Sequence, residues 1–148
     1  MKVQLVQPAD NLSAICSQMQ PGLWAVDNRM TNYKPELLKE FLEAGNVLLL
    51  AKDGEKIAGA IIAHKLLHPA GVSSLYVHEL DTHPDYRRQG VATLLLNKCK
   101  ELAKEMGLTE VWLGTETDNN AANAFYKTLD PYEIESSVIY AYRPADKK

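Results

Sequence analysis

One stretch of the chain concentrates residues that could do chemistry: Asp81-Thr82-His83-Pro84-Asp85-Tyr86-Arg87-Arg88-Gln89-Gly90-Val91-Ala92. It reads as the end of a strand, a proline turn and the start of a long helix. The opening turn of a helix carries unpaired N–H groups and the positive end of the helix dipole. Gly90 and Ala92 keep side-chain bulk away from those N–H groups, and Arg87 and Arg88 add positive charge. No acidic residue occurs from Tyr86 to Lys100. Such a turn suits a phosphate or pyrophosphate. The plainer alternative is an ordinary helix cap beside surface arginines. No G-x-G-x-x-G follows a strand, and no G-x-x-x-x-G-K-[ST] occurs anywhere, so the usual nucleotide loops are absent.

The elements around this turn are mixed α and β. Lys2–Gln7 alternates as a first strand, and Asp10-Asn11 caps a helix carrying Leu12, Ile15 and Met19. An irregular polar stretch with Trp24, Asp27, Asn28, Met30, Asn32 and Tyr33 follows. Pro35 opens a second helix with Leu37, Leu38, Phe41 and Leu42 as its stripe, and Gly45 stops it. Val47–Ala51 and Lys56–His64 form a hairpin about Asp53-Gly54. Ser73–Thr82 is the strand that feeds the anion turn. Without a bulge, Leu75, Val77, Glu79 and Asp81 share one face, and Tyr76, His78, Leu80 and Thr82 share the other. Val91–Met106 is the clearest helix, with Ala92, Leu95, Cys99, Leu102 and Met106 as its stripe. Glu110–Glu116, Asn119–Leu129 and Glu133–Tyr142 read as strand, short helix and long final strand. No repeat or linker divides the 148 residues, and one domain is expected.

Composition narrows the function classes. Charged residues are 24 % and hydrophobic ones 46 %, an ordinary globular balance. A net charge of −3 argues against a nucleic-acid binder of the broad basic type. The longest apolar stretches, Ile57–Ala63 and Val47–Ala51, are far short of the roughly 20 residues of a membrane span. No secretory signal is readable behind Met1. Cys16 and Cys99 form neither a disulfide framework nor a metal pair, which fits reduced thiols in a cytoplasmic protein. His64 and His68 are four apart, a metal spacing only on a helix, and they fall on strand and turn; no metal is expected. His83 is expected at the surface.

Arg87-Arg88-Gln89-Gly90-Val91-Ala92 matches a [Q/R]-x-x-G-x-[G/A] signature, and Asn119-x-x-Ala122-x-x-Phe125-Tyr126 matches an N-x-x-A-x-x-L/F-Y helix. In that order and context the chain resembles the GNAT superfamily of acetyl-CoA-dependent N-acetyltransferases, from about Leu75 to Tyr142. The resemblance implies a mixed, mainly antiparallel α/β fold. Its sheet of about six strands would be splayed between Ser73–Thr82 and Glu110–Glu116, with helices on both faces. It implies that Arg87, Arg88, Gln89, Gly90, Val91, Ala92 and Thr93 bind acetyl-CoA, with the backbone N–H groups of Arg88 through Ala92 holding its pyrophosphate. The backbone around Leu80 and Thr82 would pair with the pantetheine arm, Asn119 would hydrogen-bond that arm, and Tyr126 would sit beside the thioester sulfur. One departure is plain: the family's K-x-L-G-F ending is here Lys127-Thr128-Leu129-Asp130-Pro131-Tyr132, without the glycine.

Acetyl transfer to an alkyl amine of pKa about 10.4 needs a proton acceptor, and the departing thiolate is helped by a donor. Tyr126 matches the family's donor position; a packed aromatic is the alternative. Glu79 is the leading base, with Asp81 and His78 as rivals. Glu79, Asp81, Glu116, Asp118, Glu133 and Glu135 would steer a cationic amine, unless they are only solvated surface acids. Glu79, Asp81, Glu116, Trp24 and Tyr33 are the expected acceptor contacts. The segment from Glu79 onward is similar to the aminoglycoside 3-N-acetyltransferase branch, which makes a small polyamine-like acceptor the first expectation. A protein N-terminal or lysine acetyltransferase and a non-catalytic acyl-CoA-binding regulator are the alternatives. A homodimer is compatible with the resemblance.

Overall fold

The computed structural model describes residues 1–19 and 33–145. Met1–Gly114 make one compact unit and Thr115–Lys148 a second. The first unit is built on a five-stranded sheet in the order β1 (Lys2–Leu5), β2 (Val47–Asp53), β3 (Lys56–Leu66), β4 (Ser74–Thr82), β5 (Glu110–Trp112). The first four strands are antiparallel neighbours, and β5 runs parallel to β4. Helices α1 (Leu12–Gln18), α2 (Pro35–Glu43) and α3 (Val91–Glu105) complete that unit, and α4 (Asn120–Thr128) lies in the second. This is the expected mixed α/β architecture with five strands rather than about six. Glu133–Tyr142 alternates as a strand should, yet it joins no ladder.

Local chemistry explains the boundaries. Asn11 Oδ1 accepts the Ala14 N–H at 3.1 Å and starts α1, whose Leu12 and Ile15 are buried, as is Met19 beyond its end. Pro35 sits in the first turn of α2, where its missing N–H costs nothing. Leu42 of α2 is buried, but Leu37 is 56 % exposed and lies outside the stripe. Gly54 adopts φ 60° in the β2–β3 hairpin turn, a conformation that glycine reaches without strain.

The two sheet faces carry different helices. Leu12, Ile15 and Met19, with Leu42 of α2, pack on Leu48, Leu50 and Ala60. Gly59, one residue before Ala60, points the other way, toward α3. A Cβ there would meet Val91 Cγ1 at 2.6 Å and Leu95 Cδ1 at 3.0 Å, so this glycine lets the start of α3 lie close on the sheet. The buried stripe of α3 is Val91, Leu95, Leu96, Cys99 and Ala103. It is rotated from the expected stripe: Ala92, Leu102 and Met106 are half-buried at its flank. Burying side chains such as Leu50, Ile61 and Leu95 contributes about 1.5–3 kcal/mol apiece.

β4 and β5 pair only through Ser74–Tyr76 and Glu110–Trp112. Beyond Tyr76, β4 has no ladder on its β5 side among the described residues. Leu80 and Thr82 lie on that stretch of β4.

Candidate functional site

The strand that feeds the site contains a bulge that the alternation did not disclose. Val77 pairs with Ala63 and Glu79 with Ile62, which leaves His78 as an extra residue. One extra residue reverses the facing of everything beyond it. Tyr76, opposite His64, therefore shares a face with Glu79, opposite Ile62, and Asp81, opposite Ala60. Leu80 and Thr82 pass to the α3 face with Leu75 and Val77. The expectation that His78 and Glu79 take opposite faces is thus overturned. His78 Nδ1 lies 3.1 Å from His64 Nε2, on the face shared with Glu79.

Glu79 and Asp81 stand together as expected, and Tyr33 joins them. Tyr33 packs against the core cluster and donates its hydroxyl to Glu79 Oε2 at 3.0 Å. Burial, and then the negative charge of Glu79, push the Tyr33 hydroxyl well above its ordinary range, so it stays a donor. Burial, and then the charge of Glu79, also raise the Asp81 carboxyl to about 6, partly offset by Arg87. Sequence reasoning placed Tyr33 against the acceptor and missed its bond to Glu79. The 46 residues between them hid that bond, and no local spacing signals it. Trp24, expected beside it, lies outside the described residues, as does Met30.

Beyond β4 the chain is tied down. His83 is buried, against the expectation of a surface position, and its N–H donates to Ala58 O at 2.8 Å. Its Nδ1 accepts the Asp85 N–H at 3.1 Å, capping the 3₁₀ turn Pro84–Tyr86. Tyr86 donates its hydroxyl to Asp53 Oδ2 at 2.8 Å, and Lys56 reaches Asp85 at 3.3 Å. Three contacts thus anchor the turn to the β2–β3 hairpin.

The next residues carry the strained backbone. Arg88 has φ 60° and Gly90 has φ 79°. A non-glycine residue held there costs about 1–3 kcal/mol, and such strain concentrates at ligand-holding turns. Left-handed residues within a short run turn successive N–H groups toward one concavity, which favours an anion. No side chain caps α3, and its first turn holds no acid. The first intrahelical bond runs from Leu94 N–H to Gly90 O at 3.0 Å, so the N–H groups of Val91, Ala92 and Thr93 have no intrahelical acceptor. A Cβ on Gly90 would meet nothing within 4 Å, so that side of the turn is open. Arg87, Arg88 and Gln89 are exposed around it.

In the second unit, Asn119 Oδ1 accepts the Ala122 N–H at 3.1 Å and caps α4, so that oxygen serves the helix. Tyr126 is half-buried on α4, next to Phe125 with ring centroids 5.2 Å apart. Glu116 is exposed, and its carbonyl accepts from Asn123 Nδ2 at 3.0 Å. Asp118, Glu133 and Glu135 are exposed in the same unit. His68 is occupied locally, its Nδ1 accepting the Ala70 N–H at 3.0 Å. Among the described residues no group of three or more His, Cys, Asp and Glu side chains is placed to hold a metal ion, and no helix is long and apolar enough to cross a membrane.

Comparison with known proteins adds an independent line. The model of the acetyltransferase (GNAT) family matches residues 16–130. N-alpha-acetyltransferase 30 of Schizosaccharomyces pombe is 35 % identical over 80 residues, which is 54 % of this chain and 53 % of that protein. The chain thus spans about half the length of that relative. The crystal structure of an aminoglycoside acetyltransferase, meta-AAC0020 from an uncultured soil metagenomic sample, in complex with trehalose, superposes with a TM-score of 0.85. It is 20 % identical, and the match covers 97 % of this chain and 96 % of that one. The same enzyme in complex with sisomicin gives a TM-score of 0.84 at 18 % identity, with the same two shares covered. At such identity the likeness is one of fold.

Proposed function

The chain belongs to the acetyltransferase (GNAT) family, and from that premise we propose that it moves the acetyl group of acetyl-CoA to a primary amine of a small cationic acceptor. The observation that carries this reading is the juxtaposition on one strand. β4 presents the Glu79–Asp81 pair, and the chain then runs directly into the uncapped, left-handed turn at Arg88–Gly90.

The turn fits the pyrophosphate of acetyl-CoA. It offers first-turn N–H groups without intrahelical acceptors, an open side at Gly90, exposed arginines and no acid in the helix's first turn. Arg87 through Thr93 would hold that group, and the unpaired edge of β4 at Leu80 and Thr82 would take the pantetheine arm as an added strand. Asn119 is assigned a hydrogen bond to the arm through its amide. Acetyl-CoA supplies a thioester carbonyl carbon open to attack by an amine.

The residues of the chain then handle charge and protons. Glu79 and Asp81 draw in an ammonium ion. Tyr33 fixes the Glu79 carboxylate through its 3.0 Å hydrogen bond. Glu79 takes the proton that the amine must lose before it can attack, directly or through water. Asp81, whose carboxyl is raised to about 6, is still mainly ionised at pH 7 and keeps the pocket negative. Tyr126 gives a proton to the departing thiolate. The name of the metagenomic enzyme supports an aminoglycoside-like amine. A second reading, acetylation of a protein α-amine, is favoured by the name of the Schizosaccharomyces pombe relative. That amine has a pKa of only about 7.7–8.0 and asks less of a base.

Thiol release from acetyl-CoA, measured across polyamines, aminoglycosides and N-terminal peptides, tests the proposal. The expected outcome is turnover with a polycationic small amine and a loss of about 10²-fold in kcat for Glu79→Gln. Turnover confined to peptides would establish the second reading, and turnover unchanged in Glu79→Gln would remove Glu79 as the base.

A further inference from the structure

We propose that His64 and His78 form a two-imidazole chelate for a divalent transition-metal ion, Cu²⁺ before Zn²⁺ or Ni²⁺, on the sheet face that carries Glu79 and Asp81. The sequence sets His64 beside His68 on strand and turn, where that spacing holds no metal. The fold pairs His64 of β3 with His78 of β4 instead, 14 residues away. Both strands lie in the first unit, Met1–Gly114. The bulge in β4 composes this face. It keeps His78 with Tyr76 and adds Glu79, opposite Ile62, to the same side. Bulges of this kind re-aim side chains next to sites.

The distance between the two rings fits a shared ion. His64 Nε2 and His78 Nδ1 are 3.1 Å apart. Two imidazole nitrogens, each about 2.0–2.1 Å from one ion at an angle between a right angle and a tetrahedral one, stand about 2.8–3.4 Å apart. The rings are held by their neighbours. Tyr76 lies close to parallel with both, its centroid 6.3 Å from His64 and 5.7 Å from His78. Phe41 of α2 meets His64 edge-on at 5.3 Å. Rings fixed in this way have less freedom to lose when an ion binds.

The chemistry selects the ion. Without metal, one proton lies between the two nitrogens. On binding, that proton passes to the other nitrogen of its own ring, and both rings ligate as neutral imidazoles with no net proton change. Burial, and then His78, hold His64 below its ordinary range, which favours the neutral ligand form. Imidazole suits Cu²⁺, Zn²⁺ and Ni²⁺, and Cu²⁺ heads their affinity order; Ca²⁺ and Mg²⁺ require oxygen ligands. Among the described residues no third His, Cys, Asp or Glu completes a group here, so water fills the remaining positions. Glu79 and Asp81 make the face negative and favour a cation. Resting on the acetyl-transfer reading above, an ion at this pair places positive charge beside Glu79 and Asp81 and opposes a cationic acceptor.

Calorimetry and electron paramagnetic resonance of the full chain with Cu²⁺ alone test the site. The expected results are one tightly bound ion per chain and hyperfine structure from two imidazole nitrogens. His64→Gln and His78→Gln should each weaken binding by about tenfold or more, while His68→Gln leaves it unchanged. If a variant fails to fold, the wild-type spectrum still decides. A spectrum with one imidazole nitrogen or none, or equal binding in the wild type and both variants of the pair, would overturn the proposal. The effect on the acceptor is read separately, with Ni²⁺ and the mass of the acetylated product: acceptor KM should rise in the wild type and not in His64→Gln. An unchanged KM would remove that effect. Copper binding without turnover of any amine would uphold the site and defeat the acetyl-transfer reading.

Discussion

Replacing Asp81 by asparagine should make the protein more stable at neutral pH and a poorer acetyltransferase. The Asp81 carboxyl is raised from its ordinary 3.8 to about 6, first by burial and then by Glu79. A folded-state value above the unfolded one means that the neutral acid is the form the fold prefers. Its contribution is full below about pH 3.8 and is lost as pH rises through about 6. At about 1.4 kcal/mol per tenfold, that rise sets an upper bound near 3 kcal/mol. Asp81 is only partly buried, so solvent screening reduces the figure to about 1–2 kcal/mol. Asparagine keeps the shape and removes the charge. Any hydrogen-bond difference it introduces is the same at every pH, so the informative quantity is the pH dependence of the stability difference. Urea unfolding of both proteins should give a difference that grows by about 1–2 kcal/mol in favour of Asp81→Asn between pH 4 and pH 7. Thermal melts should show the same trend, at about 2–4 °C per kcal/mol for a chain near this size. The acceptor KM should rise about tenfold or more, because half the acidic pair is gone. A stability difference that is flat with pH, or that turns against the variant as pH rises, would refute the reasoning.

Two further predictions follow from the anion turn and from α4. Gly90→Glu places a carboxylate at the open side of the turn and forces φ 79° on a residue with a Cβ, so CoA binding by calorimetry should weaken at least tenfold, about 1.4 kcal/mol. Tyr126→Phe should lower kcat by about 10–10³-fold at neutral pH with little change in acceptor KM, and the deficit should shrink above about pH 9, where a thiol of pKa about 8.5 leaves unaided. Near wild-type kcat at every pH would make Tyr126 a packing residue.

What could be read in advance follows the range of the interactions involved. Caps and turns depend on a few adjacent residues, so Asn11, Pro35, Gly54 and Gly90 gave away α1, α2, the hairpin and the start of α3. The bulge at His78 depends on how β4 meets β3, and Val77-His78-Glu79 alternates acceptably in either register. Its effect reaches the chemistry, since it alone brings His78 and Glu79 to one face. Tyr33 follows the same logic, its bond to Glu79 being made by tertiary packing. Val91 joined the buried stripe of α3 where Gly59, on a distant strand, leaves room for it against the sheet.

The final segment makes the limit plainest. Its period-two pattern is local and was legible from the sequence. Whether a ladder forms depends on an edge that lies elsewhere, and on a turn that must let the strand reach it. Asp130-Pro131 was visible as an irregularity, but only φ 55° shows that the turn holds its aspartate where glycine would rest without cost.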